Sequence, residues 1–230
     1  MKNPLPVLAL IFVLNSAAHD AIAGELNGRI LITKNMTRKR VTLPAYQLRG
    51  ASAPQSEISP PLDEYGELIV FLEGSLPAGE DKPIRAELIQ QNHRFEPQML
   101  IVPVGSSVSF PNADPIFHNV FSLSRVKKFD LGYYPAGQTR VVKFDAPGVV
   151  QIYCHLHPNM YAAIVVVPNR WYARPAEDGT FSFKGIPPGT YHVLTWHMSA
   201  GFFRRQVQVP ATGVVNLDMK IPVRSEEYSR

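Results

Sequence analysis

The sequence predicts an all-β protein, on three observations. Its 21 prolines and 15 glycines are scattered through 230 residues, so no 3.6-residue apolar pattern reaches helix length. Short runs rich in Val, Ile and Leu recur at regular intervals. Gly- and Pro-containing turns separate them, as expected for an antiparallel sandwich or barrel. With 45% apolar and 18% charged residues, the chain can bury a sizeable core, which excludes disorder as a whole.

Residues 1–23 have the layout of a secretory signal: Lys2 gives a positive start, 5–14 are apolar apart from proline, and Ala21-Ile22-Ala23 fits a small-residue cleavage site. A membrane span needs about 20 uninterrupted apolar residues. Here Pro4, Pro6, Asn15, His19 and Asp20 break or bound the run. The expectation is an exported chain, periplasmic or otherwise, with no membrane span once the signal is cleaved and, without a cysteine near the cut, no lipoprotein anchor. The net charge of +4 is small and its basic residues are dispersed rather than striped, so no nucleic-acid partner is expected.

Residues 24–87 form an N-terminal β segment with strands expected at 26–32 and 67–73. Between them lie the basic cluster Arg38-Lys39-Arg40 and Pro54, Pro60 and Pro61, which read as a long surface loop with one or two strands. Asn35-Met36-Thr37 matches a glycosylation acceptor, a short pattern of little weight. From residue 88 the strand signal sharpens, at 100–103, 107–111, 118–122, 139–145, 149–153 and 162–168. Val104-Gly105-Ser106, Pro135-Ala136-Gly137 and Ala146-Pro147-Gly148 supply the reversals. A further β unit follows at 169–224, with strands expected at 180–184, 190–196, 203–209 and 214–221, and 225–230 is a tail.

The chemistry sits in the run Tyr153-Cys154-His155-Leu156-His157-Pro158-Asn159-Met160. Cys154 is the one cysteine of the chain, so no intramolecular disulfide exists and the thiol acts alone or with a metal. A thiolate, an imidazole and a thioether at i, i+3 and i+6 in one loop are a compact set of soft donors. Two imidazoles, one thiolate and a long axial thioether suit copper in electron transfer. The second imidazole has to come from elsewhere, and His118, on a strand-like run upstream, is the candidate.

Phe117-His118-Asn119-Val120 together with Cys154, His157 and Met160 resembles the cupredoxin, or blue copper, family, and the loop spacing is closest to its amicyanin-like members. The lead-in from Phe95-Glu96-Pro97 to Phe110 resembles the opening strands of plastocyanin-type domains, so the likeness spans 88–168. It implies a Greek-key β-sandwich holding one mononuclear copper, with His118, Cys154 and His157 as equatorial ligands and Met160 as the axial one. It also implies that Asn119 ties the two ligand segments together and that Pro158 stiffens the loop. His155 departs from the family pattern and reads as an exposed loop residue or an alternative metal donor.

Other readings of the same residues fare worse. A Cys–His nucleophile would need an orienting Asp, Asn or Glu, and none stands in an obvious position; no enzymatic activity is expected. Structural zinc sites do not usually recruit Met, and a binuclear copper centre needs a second bridging cysteine. His93, His192 and His197 have no ligand spacing among themselves and read as surface or satisfied interior groups.

Asp178-Gly179-Thr180-Phe181-Ser182-Phe183 followed by Ile186-Pro187-Pro188-Gly189-Thr190-Tyr191 resembles the carboxypeptidase regulatory-like, transthyretin-like sandwich family. This implies a second, smaller, non-catalytic sandwich whose first strands come from 24–87, with the copper unit inserted between its halves. The function expected is a blue copper protein passing single electrons between periplasmic redox partners such as a dehydrogenase, cytochrome or oxidase. The edge of His157 would meet the partner through a patch of Pro115, Ile116, Phe117, Leu156 and Pro158, with Arg125, Lys127 and Lys128 as candidates for steering an acidic surface. The alternative is a non-redox copper-binding, copper-delivery or structural module of an exported assembly.

Overall fold

The computed structural model describes residues 23–33, 63–77 and 82–222. All but the last residue of the expected signal lies outside the described residues. So do Arg38-Lys39-Arg40, the Asn35 acceptor, the proline-rich stretch at 51–61 and the tail at 225–230. The described chain is all-β, with seventeen strands and no helix, and so no helix long and apolar enough to cross a membrane among the described residues.

The strands form four main sheets. In the first, β1 (Gly24–Ile32) lies between β14 (Thr180–Ile186), antiparallel, and β17 (Val214–Ile221), parallel. The second has the order β13 (Tyr172–Ala173), β2 (Leu68–Glu73), β15 (Gly189–His197), β16 (Gly201–Val209). Strands from the two ends of the chain are therefore neighbours in both sheets. Leu26, Ile30, Leu68, Val70, Leu72, Phe183, Val193 and Met219 are buried in the core that these two sheets share. Gly28 stands mid-strand because a Cβ there would lie 2.1 Å from the Phe181 ring. Gly28→Val is expected to lower unfolding free energy by about 1–3 kcal/mol through overpacking, measured by urea denaturation; an unchanged midpoint would show that the ring moves aside freely.

The third sheet runs β6 (Met99–Pro103), β12 (Tyr161–Val167), β11 (Gly148–Tyr153), β8 (His118–Ser122), β9 (Phe129–Tyr134). The fourth runs β10 (Thr139–Phe144), β7 (Ser106–Pro111), β3 (Arg85–Glu87), and β4 (Ile89–Gln91) pairs with β5 (Arg94–Glu96) as a separate hairpin. Val108, Phe110, Val120, Phe144, Ile152 and Ile164 fill the space between the third and fourth sheets, and Cys154 and Met160 belong to the same core.

Strand β12 explains how the two pairs of sheets are joined. Successive side chains of a strand point to opposite faces, and the run Ala162 to Val167 is buried at every position. Ala162, Ile164 and Val166 enter the core above the fourth sheet. Ala163, Val165 and Val167 enter a third core with Met99, Ile69 and Trp196. Strand β2 is divided the same way: Leu68, Val70 and Leu72 face the first sheet and Ile69 the third. An uninterrupted apolar run is what burial on both faces requires.

The strands expected at 118–122 and 214–221 are found with those bounds, and the other expected strands differ by a residue or two at their ends. Strands β3, β4, β5, β9 and β13 were not anticipated. Four are two or three residues long and carry too few side chains for a period to register. In β9 Phe129 and Leu131 are half-buried against the core and only Tyr134 is fully buried, so its alternation is present but short.

Candidate metal centre

Three of the four expected ligands meet at one end of the third sheet. His118 is the first residue of β8, and Cys154 and His157 lie in the turn between β11 and β12. The pairing of β8 with β11 at Phe121 and Tyr153 brings the two segments side by side. His118 Nδ1 lies 3.0 Å from His157 Nδ1, and Cys154 Sγ lies 3.7 Å from His157 Nδ1. All three donor atoms fall within 4.8 Å of one another.

His118 is fully buried and Cys154 is 5% exposed, whereas His157 is partly open to solvent. Burial, then the neighbouring His118 and His93, hold the His157 imidazole below the ordinary histidine range against the opposing pull of Asp114. That keeps a lone pair available for a metal, which only neutral imidazole can bind. Met160 is buried in the core that holds Cys154, and its amide donates to the His157 carbonyl at 2.9 Å, closing the ligand loop on itself.

The donor set fits copper. Two imidazole nitrogens and one thiolate converge without a second thiol, a combination suited to Cu(I) and Cu(II) alike. Among the described residues no other group of three His, Cys, Asp or Glu side chains converges in this way.

Asn119 braces the site from behind. Its fully buried side chain donates through Nδ2 to Asp130 Oδ1 at 2.7 Å and to the Gly132 carbonyl at 3.2 Å. Its Oδ1 accepts the His155 amide at 3.4 Å. One side chain thus ties β8, β9 and the ligand loop. The His155 ring stacks on Phe121 at 3.8 Å with 4° between planes, and its Nε2 lies 3.6 Å from Asp130 Oδ2. It therefore points away from the three donors and stands outside their group.

Two residues that the sequence reading left aside belong to the site. Asp114 Oδ2 lies 2.8 Å from His118 Nε2. Burial works to raise the Asp114 pKa, but hydrogen bonds from the His93 amide, His118 and the Asn92 amide outweigh it and hold the carboxyl below its usual range. His93 is at the tip of the β4–β5 hairpin, its ring edge-on to His157 with centroids 5.1 Å apart. Asp114 precedes His118 by four residues, a local signal that could have been read. His93 is brought in by tertiary packing alone. His192 lies on β15 beside Arg204, 3.1 Å from Nδ1, and His197 is buried against Glu64 at 2.9 Å; neither belongs to the group of converging donors.

No family model matches the chain, and no curated protein matches it. Among solved structures it is similar to a purple cupredoxin from Nitrosopumilus maritimus at 24% identity, over 36% of this chain and 99% of that one, with a TM-score of 0.33. It is similar to a reduced amicyanin mutant at 21% identity, over 43% of this chain and 98% of that one, with a TM-score of 0.35. A copper-containing nitrite reductase from Thermus scotoductus is 24% identical over 46% of this chain and 27% of that one, with a TM-score of 0.34. These likenesses take in less than half of the chain, and the resemblance of the second sandwich to regulatory-like domains has no matching family model or curated protein behind it. The chemistry of the site is carried by its own geometry, in which two imidazoles and a buried thiol converge at the mouth of a β-sandwich.

Proposed function

We propose that the chain binds one copper ion through His118 Nδ1, His157 Nδ1 and Cys154 Sγ, with Met160 as a weaker fourth donor. In this reading it passes single electrons to and from a redox protein in an exported compartment and catalyses no bond-making reaction of its own. The observation that carries the reading is the convergence of the three donor atoms within 4.8 Å, two of them on buried side chains.

Copper, when bound, supplies a one-electron couple. The protein supplies the rest. Buried His118 and Cys154 keep water from the donors, and Asn119 holds the loop so that the same arrangement serves both oxidation states. His157 is the donor nearest solvent, and around it Phe117 is 56% and Leu156 47% exposed, with Pro115 and Pro158 also at the surface. An apolar rim at a half-open imidazole suits brief docking of a dehydrogenase, cytochrome or oxidase, since small exposed apolar patches commonly mark interaction sites.

The test is the visible absorption and electron paramagnetic resonance spectrum after adding Cu(II), with Cys154→Ser in parallel. An intense thiolate-to-copper band is expected in the wild type and none in the variant. Equal, weak spectra would refute the ligand set. A site that gives the band yet releases copper on reduction would replace electron transfer with copper delivery.

A further inference from the structure

The carboxylate of Asp114 is held from every side. Oδ1 accepts the Asn92 amide at 2.7 Å, Oδ2 accepts the His93 amide at 2.9 Å, and Oδ2 also meets His118 Nε2 at 2.8 Å. Its own amide donates to Asn112 Oδ1 at 3.0 Å. Asn112 in turn donates to the carbonyls of Ile116 at 2.8 Å and Tyr134 at 3.1 Å. Asn92 and His93 have φ of 55° and 58°, the left-handed conformation of a two-residue hairpin turn. That turn aims two successive amides at one carboxylate. The side chain is only 8% exposed, so this is a constructed acceptor and not a surface acid that happens to lie nearby.

Both oxygens already accept backbone amides, Oδ1 from Asn92 and Oδ2 from His93, so the oxygen that meets His118 stands as an acceptor and Nε2 supplies the hydrogen of this contact. The lone pair then lies on Nδ1, the atom that faces His157 and Cys154. A hydrogen bond to a carboxylate is charge-assisted, about twice as strong as one to a neutral acceptor, and makes the imidazole a more basic ligand. Its negative charge also favours the more positive of two metal oxidation states.

Building on the copper reading above, we infer that Asp114, clamped by the turn at Asn92 and His93, is a positioning residue that fixes the metal-binding tautomer of His118 and biases bound copper toward its oxidised form. The Nε2 proton stays between His118 and Asp114 in both oxidation states. Reduction adds one electron and breaks no bond of this network.

The test compares reduction potentials of the copper-loaded wild type, Asp114→Asn and Asp145→Asn. The last removes an exposed carboxylate that pairs with Lys143 and takes no part in the network around the donors. Asp114→Asn is expected to shift the couple at least tenfold toward the reduced form, a rise of about 59 mV for one electron, and Asp145→Asn to shift it less. Equal shifts in the two variants, or none in Asp114→Asn, would overturn the inference. Nitrogen-15 spectra of the wild-type protein before copper is added give a second readout that needs no variant. A His118 ring proton on Nε2, slow to exchange, is expected; a proton on Nδ1, or rapid exchange, would overturn the assignment even if Asp114→Asn failed to fold. Failure of the copper reading looks different, because the wild type itself would then lack the thiolate band.

Discussion

Replacing His118 with alanine is expected to weaken copper binding by more than about 100-fold, beyond the 10–100-fold typical of losing an outer partner of a ligand. Removing the ring takes away a fully buried donor that stands 3.0 Å from the Nδ1 atom of His157. The space is closed to solvent, so water would replace the imidazole poorly. One further contact goes with it: Asp114 keeps the Asn92 and His93 amides but loses the His118 N–H. Copper titration followed by visible absorption would measure the effect. An affinity within tenfold of the wild type, with the thiolate band intact, would show that Cys154 and His157 bind without the donor from β8. The fold is expected to persist, because His118 opens its strand and the strand's apolar interior is carried by Val120 in the core.

Trp196→Ala should be the most destabilising single change away from the site. The ring is 3% exposed and shares a core with Ile69, Met99, Ala163, Val165 and Val167. Deleting a buried Trp typically costs about 3–5 kcal/mol, from lost transfer energy and from the cavity left behind. Here the cavity would open between the second and third sheets, where the Arg174 guanidinium donates to the carbonyls of Met99 and Gly66. Those fixed partners limit how far the sheets can close over the gap. Equilibrium denaturation in urea measures the loss, and a change below about 1 kcal/mol would mean that the sheets pack without this side chain. The thiolate band of copper-loaded protein is expected to be unchanged, since Trp196 packs on the face of β12 opposite to the core that holds Cys154 and Met160.

Much of the site was legible from residue type and spacing. Cys154, His157 and Met160 occupy one loop, so their proximity follows from chain connectivity, and His118 was singled out by the Phe117 to Val120 motif. The role expected of Asn119 has a geometric counterpart in its bonds to Asp130, Gly132 and the His155 amide. Asp114 and His93 were passed over for different reasons. An acid in a loop usually faces water, and only burial against His118 and two amides gives Asp114 its place. His93 lies at the tip of a hairpin of two three-residue strands, too short for any periodic signal.

By itself the sequence determined the all-β class, because frequent Pro and Gly forbid long helices and the apolar runs between them are of strand length. It also picked out Cys154, His157 and Met160 as candidate soft donors, since a lone thiol with an imidazole and a thioether at loop spacing leaves few chemistries open. Only the tertiary structure decided which strands are neighbours. The pairing of β1 with β14 and β17, and of β2 with β15, joins residues more than a hundred positions apart, and backbone hydrogen bonds between strands carry no sequence label of their own. Only the tertiary structure, too, placed a clamped carboxylate behind His118. A side chain's hydrogen-bond partner is set by where packing leaves it, and that depends on every element around it.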